Sequence, residues 1–272
     1  MKRNLQQLLD NSIDQSTPKD SITLSYLSTM IKTNRIALLV DGDNAPPKLL
    51  TLILEEASKY GKVTIRRVYG DWTTPQMNSW KGMLNEMAFN PIQKFSYTTG
   101  KNSTDSALII DAMDILHDSL VDGFCIVSSD SDYTGLAKRI REEGIFVMGI
   151  GEKKTPNAFV KSCEIFTYVE NLEVIELPAV KPEKDTKKKQ QKTNSKVPVN
   201  MSLINKAFDM STNESNEVNI STLGLNLRKL DPSFDCRTYG FKTITSLFGN
   251  LHGFEVVENL INGRNHPVLK RK

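Results

Sequence analysis

Residues 36–40 read IALLV, five apolar residues without a polar break, and the next residue is Asp41. A strand that is apolar on both faces cannot lie at a surface. It belongs in the middle of a sheet, with helices covering each side. The residues that follow supply those helices. Pro46 and Pro47 open the helix-patterned stretch PKLLTLILEEASKY, with Leu49, Ile53, Leu54 and Ala57 on one face, and Gly61 ends it; proline suits a first helical turn. VTIRRVYG at 63–70 reads as a second strand. Residues 73–89 read as a helix with Met77, Trp80, Leu84 and Met87 at helical spacing, and IQKFSY at 92–97 as a third strand. A helix over 103–120, a buried strand FCIVSS at 124–129 and a helix stopped by Gly144 come next. A strand at 145–151, a short helix near 156–163 and a last strand at 164–169 complete the series. Strands alternating with helices form βαβ units. The fold expected for residues 35–175 is therefore α/β, a Rossmann-like, mostly parallel sheet flanked by helices. In such a sheet the active site lies beyond the carboxyl ends of the strands.

The pattern breaks after that domain. Between positions 181 and 196 there are seven lysines against one glutamate and one aspartate, and no large apolar side chain. Such a stretch cannot bury a core, so 176–198 reads as a Lys-rich flexible linker. It is either a solvated spacer or a tether that attracts phosphate. Order resumes over 199–272. SLINKAFDM reads as a helix, VNISTLGLNLRKL as a second one entered through Ser221, and RTYGFKTITSLFGNL as a third. FEVVE and HPVLKR read as short strands around the turn NGRN. Three helices and a terminal hairpin suggest a small winged-helix domain. Residues 1–34 are a weakly periodic N-terminal extension with no assigned role.

Several function classes are disfavoured. No apolar run approaches the ~20 residues that span a bilayer, and the first residues carry no apolar secretory core. The expectation is a cytoplasmic protein without a membrane partner. Cys125, Cys163 and Cys236 are far apart and odd in number, which argues against a disulfide framework and against a zinc site. His117, His252 and His266 are equally scattered.

The acids are not scattered. The first strand ends in Asp41, followed by Gly42, Asp43 and Asn44; the fourth ends in Ser128, Ser129 and Asp130, with Asp132 two residues on; Asp105 opens the helix of 103–120. In the expected fold all three places lie on one sheet edge. Each acid also has an ordinary reading: Asp105 favours a helix dipole, Asp132 caps a helix and Asp43 closes a turn. Asp111 and Asp114, farther along the helix, read as structural. Asp41 and Asp130 directly follow buried strands, where an unpaired carboxylate is costly. Carboxylates that converge repel one another, and a hard cation such as Mg2+ removes the conflict. The chemistry that follows is metal-assisted phosphoryl transfer. Tyr69, Trp72, Arg66, Arg67 and Lys101 sit in or near strand ends and loops, where stacking and phosphate pairing are available, although mid-strand arginines often only face solvent.

DGDN at 41–44, GKNSTD at 100–105, SSDSDYTGLAKRI at 128–140 and TPNAFVKSCEIFTYV at 155–169 together resemble the NYN domain, a PIN-like ribonuclease family, in its LabA-like branch. The likeness spans about 35–172. It implies a metal-dependent endoribonuclease with Mg2+ or Mn2+ held by Asp41, Asp105 and Asp130. Asp132 stands beside them, and Asn44 matches the polar residue of the first loop. One position departs from the family, Ser129 in place of glycine in Ser-Gly-Asp, which is expected to tighten the backbone beside Asp130. The stretch FDCRTYGFKTITSLFGNLHGFEVVE resembles the OST-HTH (LOTUS) domain, a winged helix associated with RNA. Tyr239, Gly240, Phe241 and Lys242 carry that likeness. The resemblance implies RNA contacts through Tyr239 and Lys242, beside Lys101, whose place just ahead of the Ser-Thr-Asp corner suits a phosphate contact, and leaves room for a homodimer or protein partner through the OST-HTH domain. A non-catalytic RNA-binding adaptor with the same fold is the alternative. A haloacid-dehalogenase-type phosphatase is a weaker reading of DGDN, since the downstream lysine and GDxxxD motifs of that chemistry are not evident.

Overall fold

The computed structural model describes residues 34–95, 103–172, 198–212, 217–261, 264–265 and 267–272. The described residues from Arg35 to Lys272 belong to one compact unit. The N-terminal extension before Asn34, Lys101 and the Lys-rich stretch 181–196 lie outside the described residues.

The first domain runs β1 (Arg35–Asp41), α1 (Leu50–Ser58), β2 (Lys62–Gly70), α2 (Lys81–Glu86), β3 (Asn90–Gln93), α3 (Ser103–His117), β4 (Gly123–Val127), α4 (Thr134–Glu142), β5 (Phe146–Gly151), α5 (Asn157–Ser162) and β6 (Ile165–Tyr168). The six strands pair in parallel in the order β3-β2-β1-β4-β5-β6. This arrangement accounts for the unbroken apolar run. Ile36, Leu38 and Val40 pack with Leu50, Ile53 and Ala57 of α1 and with Trp80 and Leu84, on one face. Ala37 and Leu39 pack with Leu108, Ala112 and Ile115 of α3 and Leu136 and Ile140 of α4, on the other. All five residues of the run 36–40 are buried. Burying each larger side chain contributes ~1.5–3 kcal/mol, and a charged residue anywhere in the run would reach no water.

The strand order reverses between β1 and β4. From β1 the chain moves outward through β2 to β3; from β4 it moves the opposite way to β5 and β6. The loops leaving β1 and β4 therefore part toward opposite faces of the sheet, and a crevice opens between them at the carboxyl edge.

Local chemistry moved some boundaries. The segment expected as a helix at 73–89 is a 3-10 turn, Pro75–Trp80, followed by the short α2. The third strand is Asn90–Gln93 rather than 92–97. It pairs with only the last four residues of β2, and after Gln93 the Lys94 N–H closes on the Gly70 carbonyl at 3.1 Å. An edge strand covered on one side has less of its pattern enforced by packing, which is why alternation misplaced it. Gly144 does stop α4, at φ 71°, a conformation suited to glycine.

The second domain comprises α6 (Met201–Ser211), β7 (Glu217–Asn219), α7 (Ile220–Leu230), α8 (Ile244–Gly249), β8 (Phe254–Val257), β9 (Leu260–Ile261), β10 (Arg264–Asn265) and β11 (Val268–Arg271). β11 lies between β7 and β8 in an antiparallel sheet, and β9 pairs with β10. The strand β7 was not expected from sequence; it has only three residues, too few for periodicity to register. The cap of α7 is Asn219, whose Oδ1 accepts the Ser221 N–H at 2.9 Å, and not Ser221 itself. Ile204, Phe208, Leu223, Leu247, Phe254 and Leu269 form the core between helices and sheet.

The two domains are joined by polar contacts with little access to water. Arg237 sends a two-pronged bond to Glu56 of α1, Nη1 to Oε2 at 3.0 Å and Nη2 to Oε1 at 2.9 Å, and Asp235 holds the same guanidinium. Glu56 is 4% exposed. The Phe166 N–H on edge strand β6 donates to the Pro232 carbonyl at 2.9 Å, which occupies a donor that an open sheet edge would leave unpaired. Asn171 Nδ2 donates to Thr238 Oγ1 at 2.9 Å.

Candidate active site

Asp41, the last residue of β1, is fully buried. Its carboxylate is well supplied with donors. Oδ1 accepts the Asp43 N–H at 3.2 Å, and Oδ2 accepts Asn44 Nδ2 at 2.8 Å and Ser128 Oγ at 2.9 Å. Burial pushes its pKa up; the bonds from Asn44 and Ser128 pull it down, and the nearby charges of Asp105 and Asp43 push it up again, leaving it raised. Gly42 is required by close approach. Its N–H donates to the Tyr69 carbonyl at 2.8 Å, and a Cβ there would stand 2.7 Å from that same oxygen.

Asp105 lies in the first turn of α3, where a carboxylate suits the helix dipole. Its Oδ1 accepts the Tyr133 hydroxyl at 2.7 Å. Burial again raises the pKa most. The Tyr133 bond opposes it, and the charges of Asp130, Asp132 and Asp43 add to it. Asp130 caps the short turn Ser131–Tyr133, accepting the Asp132 N–H on Oδ1 at 3.0 Å, so this capping role falls to Asp130 rather than to Asp132. The Asp130 N–H donates to Ser128 Oγ at 3.1 Å. Ser128 thereby bridges Asp41 to Asp130.

One carboxylate oxygen from each of Asp105, Asp130 and Asp132 lies within 4.8 Å of the other two. Two of the three acids expected to hold metal, Asp105 and Asp130, thus meet Asp132, while the Asp41 carboxylate sits deeper and is tied to Asn44 and Ser128. Another cross-link ties the start of α3 to the loop after β1: Thr104 Oγ1 donates to Asp43 Oδ2 at 2.7 Å. Two side chains escaped the sequence reading. Ser128 and Tyr133 stood inside the quoted motif without a role, and each binds one of the acids. Polar groups beside a buried strand end, with carboxylates nearby, were the available signal.

Tyr69 and Arg67 have a different job from contacting nucleic acid. Both donate to Asp111 of α3, and Tyr69 is fully buried. A ring with no exposed face cannot stack on a base, so this trio fastens α3 to β2. That agrees with a structural role for Asp111. Trp72 is half-buried, with its indole N–H on the Ile92 carbonyl at 3.0 Å. Ser129 demands no glycine: among the described residues only Ala88 and Ser119 are non-glycine residues at positive φ. Its hydroxyl accepts the Glu152 N–H at 2.9 Å, linking the loops after β4 and β5. In the second domain Tyr239 is half-buried against Phe234, ring centroids 6.0 Å apart, and Lys242 is exposed in the loop before α8.

Comparison with known families adds to this geometry. The NYN domain model matches residues 35–173, just over half of the chain. The chain belongs to the NYN domain family. The OST-HTH/LOTUS domain model matches residues 201–264. An uncharacterized protein of Methanocaldococcus jannaschii, MJ0482, is 28% identical over 169 residues; the match covers 60% of this chain and 66% of that protein. The crystal structure of VPA0982 from Vibrio parahaemolyticus, a protein of unknown function, is 21% identical, with a TM-score of 0.44, over 51% of this chain and 94% of that one. The solution structure of an uncharacterized Nitrosomonas europaea protein is 22% identical, with a TM-score of 0.27, over 36% of this chain and 92% of that one. The chain thus carries an NYN domain, a member of the PIN-like nuclease class, followed by a LOTUS domain, with an acidic cluster at the switch point of its sheet. Among the described residues no helix is long and apolar enough to cross a membrane.

Proposed function

We propose that the chain is a metal-dependent endoribonuclease whose NYN domain cleaves RNA phosphodiester bonds while the LOTUS domain and the Lys-rich segment hold the RNA. The observation that carries this reading is the convergence of Asp105, Asp130 and Asp132 at the crevice between β1 and β4. The donor set fits Mg2+ or Mn2+. It consists of carboxylate oxygens, with no histidine or cysteine among them, which suits hard cations. Asp105 carries mutual repulsion from Asp130 and Asp132 that a cation would relieve. A cation bound there would supply Lewis-acid stabilisation of the scissile phosphate and lower the pKa of a water molecule. The protein's own groups do the positioning. Tyr133 holds one oxygen of Asp105, Ser128 sets the backbone of Asp130, and Asn44 with Ser128 keeps Asp41 fixed between the two loops. In this reading Asp41 and Asn44 belong to the catalytic group as the support of the acids, and Lys101, Tyr239 and Lys242 contact RNA. Ser129 is compatible with activity, since its backbone needs no glycine.

The test is RNA cleavage by the full chain with Mg2+, with Mn2+ and with EDTA. Cleavage is expected with either metal and none with EDTA. Saturation with metal is also expected to stabilise the folded chain, by ~2.7 kcal/mol at a concentration 100 times the dissociation constant, seen as a raised unfolding midpoint that Asp105→Asn removes. RNA binding without cleavage under any metal would favour the adaptor alternative. A finer prediction concerns Tyr133. Removing its hydroxyl in Tyr133→Phe frees Asp105 to rotate, and such supporting bonds are commonly worth ~10–100-fold in metal affinity or activity. Turnover is expected to fall by that factor at subsaturating metal and to recover in part as metal is raised. Unchanged metal dependence would show that the bond does not orient Asp105.

A further inference from the structure

Opposite the acids, at the amino-terminal edge of the parallel sheet, the two domains enclose a cleft of about 640 Å3. That volume lies in the ~300–1,000 Å3 range of ligand sites. The ends of α4 and α5 and the starts of β5 and β6 face α7 across it. Four cationic side chains line it, Arg141 and Lys161 from the NYN domain and Arg228 and Lys229 from the LOTUS domain, against a single carboxylate, Glu164. No ion pair joins any of the four to a described carboxylate; Arg141 donates instead to the carbonyls of Lys161 and Ser162, at 3.2 and 3.1 Å. Between the charges the walls are apolar, and Leu225 is 60% exposed. Neither domain forms this cleft alone. The Glu56–Arg237 fork and the Phe166–Pro232 bond set how α7 faces β6.

Cations facing one another across an open groove hold a small anion weakly and a polyanion well, because each phosphate they neutralise releases counterions condensed along the strand. The apolar strip between them suits bases whose faces are free, as in a single strand, and is of no use to bases stacked in a duplex. We propose that this interdomain cleft binds the sugar-phosphate backbone of single-stranded RNA, as a contact surface separate from the acids. The six residues of β5 span the two edges, so at about 3.3 Å per residue the cleft lies about 20 Å from the acidic crevice. The proposal rests on RNA being the ligand of this chain, and it names where the two domains hold it jointly.

The test uses the full chain in EDTA, so that the RNA stays intact, and follows the fluorescence anisotropy of a labelled oligouridylate over a series of salt concentrations. Lys161 and Lys229 are both exposed, so Lys161→Glu with Lys229→Glu is expected to keep the unfolding midpoint. Affinity should fall at least ~10-fold, and the slope of log affinity against log salt should lessen by about 1.4, at ~0.7 per phosphate contact on a single strand. A charge-matched control, Lys81→Glu with Lys206→Glu, should stay within ~2-fold of wild type. A second variant, Leu225→Ser, should weaken binding without changing the salt slope. Wild-type affinity in the Lys161/Lys229 variant, or an equal loss in the control, would overturn the cleft assignment while leaving the RNA reading in place. Full displacement of the oligonucleotide by an equal phosphate concentration of uridine monophosphate would also overturn it, in favour of a small-anion site. A wild-type chain with no affinity for RNA would overturn the broader reading instead.

Discussion

Asp130→Asn is expected to lower RNA cleavage by on the order of 100-fold or more while leaving the fold and RNA binding in place. Asparagine keeps the size of the side chain and an oxygen able to accept the Asp132 N–H, so the cap of the turn Ser131–Tyr133 survives. What disappears is one of three negative charges within 4.8 Å of one another. Several kcal/mol of charge stabilisation depend on a cation in such a site, and each ~1.4 kcal/mol is tenfold in rate. Losing the charge also removes repulsion on Asp105, so the metal-free variant is expected to be at least as stable as wild type. Rate and stability should therefore move in opposite directions, which separates a lost ligand from a damaged fold. Undiminished cleavage by the purified variant would remove Asp130 from the metal site.

Arg237→Ala is expected to destabilise the chain by ~3–5 kcal/mol, the cost of leaving one member of a buried ion pair without its partner. Glu56 is 4% exposed and would retain only Lys59, whose Nζ lies 2.6 Å from Oε2. Asp235 would also lose the guanidinium it shares. Replacing the pair together by apolar residues, Arg237→Met with Glu56→Leu, should recover much of the loss, because the desolvation of both charges is removed at once. Denaturant midpoints for the two variants measure this. Equal midpoints for wild type and Arg237→Ala would mean that the domains are not docked through this fork. The pair also gives a pH signature. Burial pushes Glu56 up, but the bonds from Arg237 and Lys59 outweigh it and hold its carboxyl below the ordinary value of 4.5. A group depressed in the folded state contributes stability that is complete above its unfolded value and lost as pH falls through the folded one. The docking contribution should thus be intact near neutrality and fade only below about pH 4.5.

Much of the domain was legible because the β1 run obeys a one-dimensional rule. Five apolar residues in a row require cover on two faces, and the helix-patterned segments between the strands were the only material to provide it. The strand ends then carried Asp41 and Asp130 to the carboxyl edge, and Asp105 followed from the start of its helix. The same logic weakened at β3, an edge strand, and at β7, a three-residue strand, because little packing acts on either to impose a pattern. It also misjudged Tyr69, a residue whose type suits stacking but whose position gives it to the core.

Sequence alone determined which residues are acidic at each strand end, that a parallel sheet would gather them, and that a second, smaller domain follows. Tertiary structure decided how the acids divide. Asp105, Asp130 and Asp132 converge on one point, while Asp41 is taken by Asn44 and Ser128. It also decided that Glu56 and Arg237, 181 residues apart, are one buried pair. The reason is physical. Strand and helix positions follow from local periodicity, but which carboxylate is solvated and which is hydrogen-bonded depends on atoms brought together from distant segments, and no spacing in the chain encodes that distance.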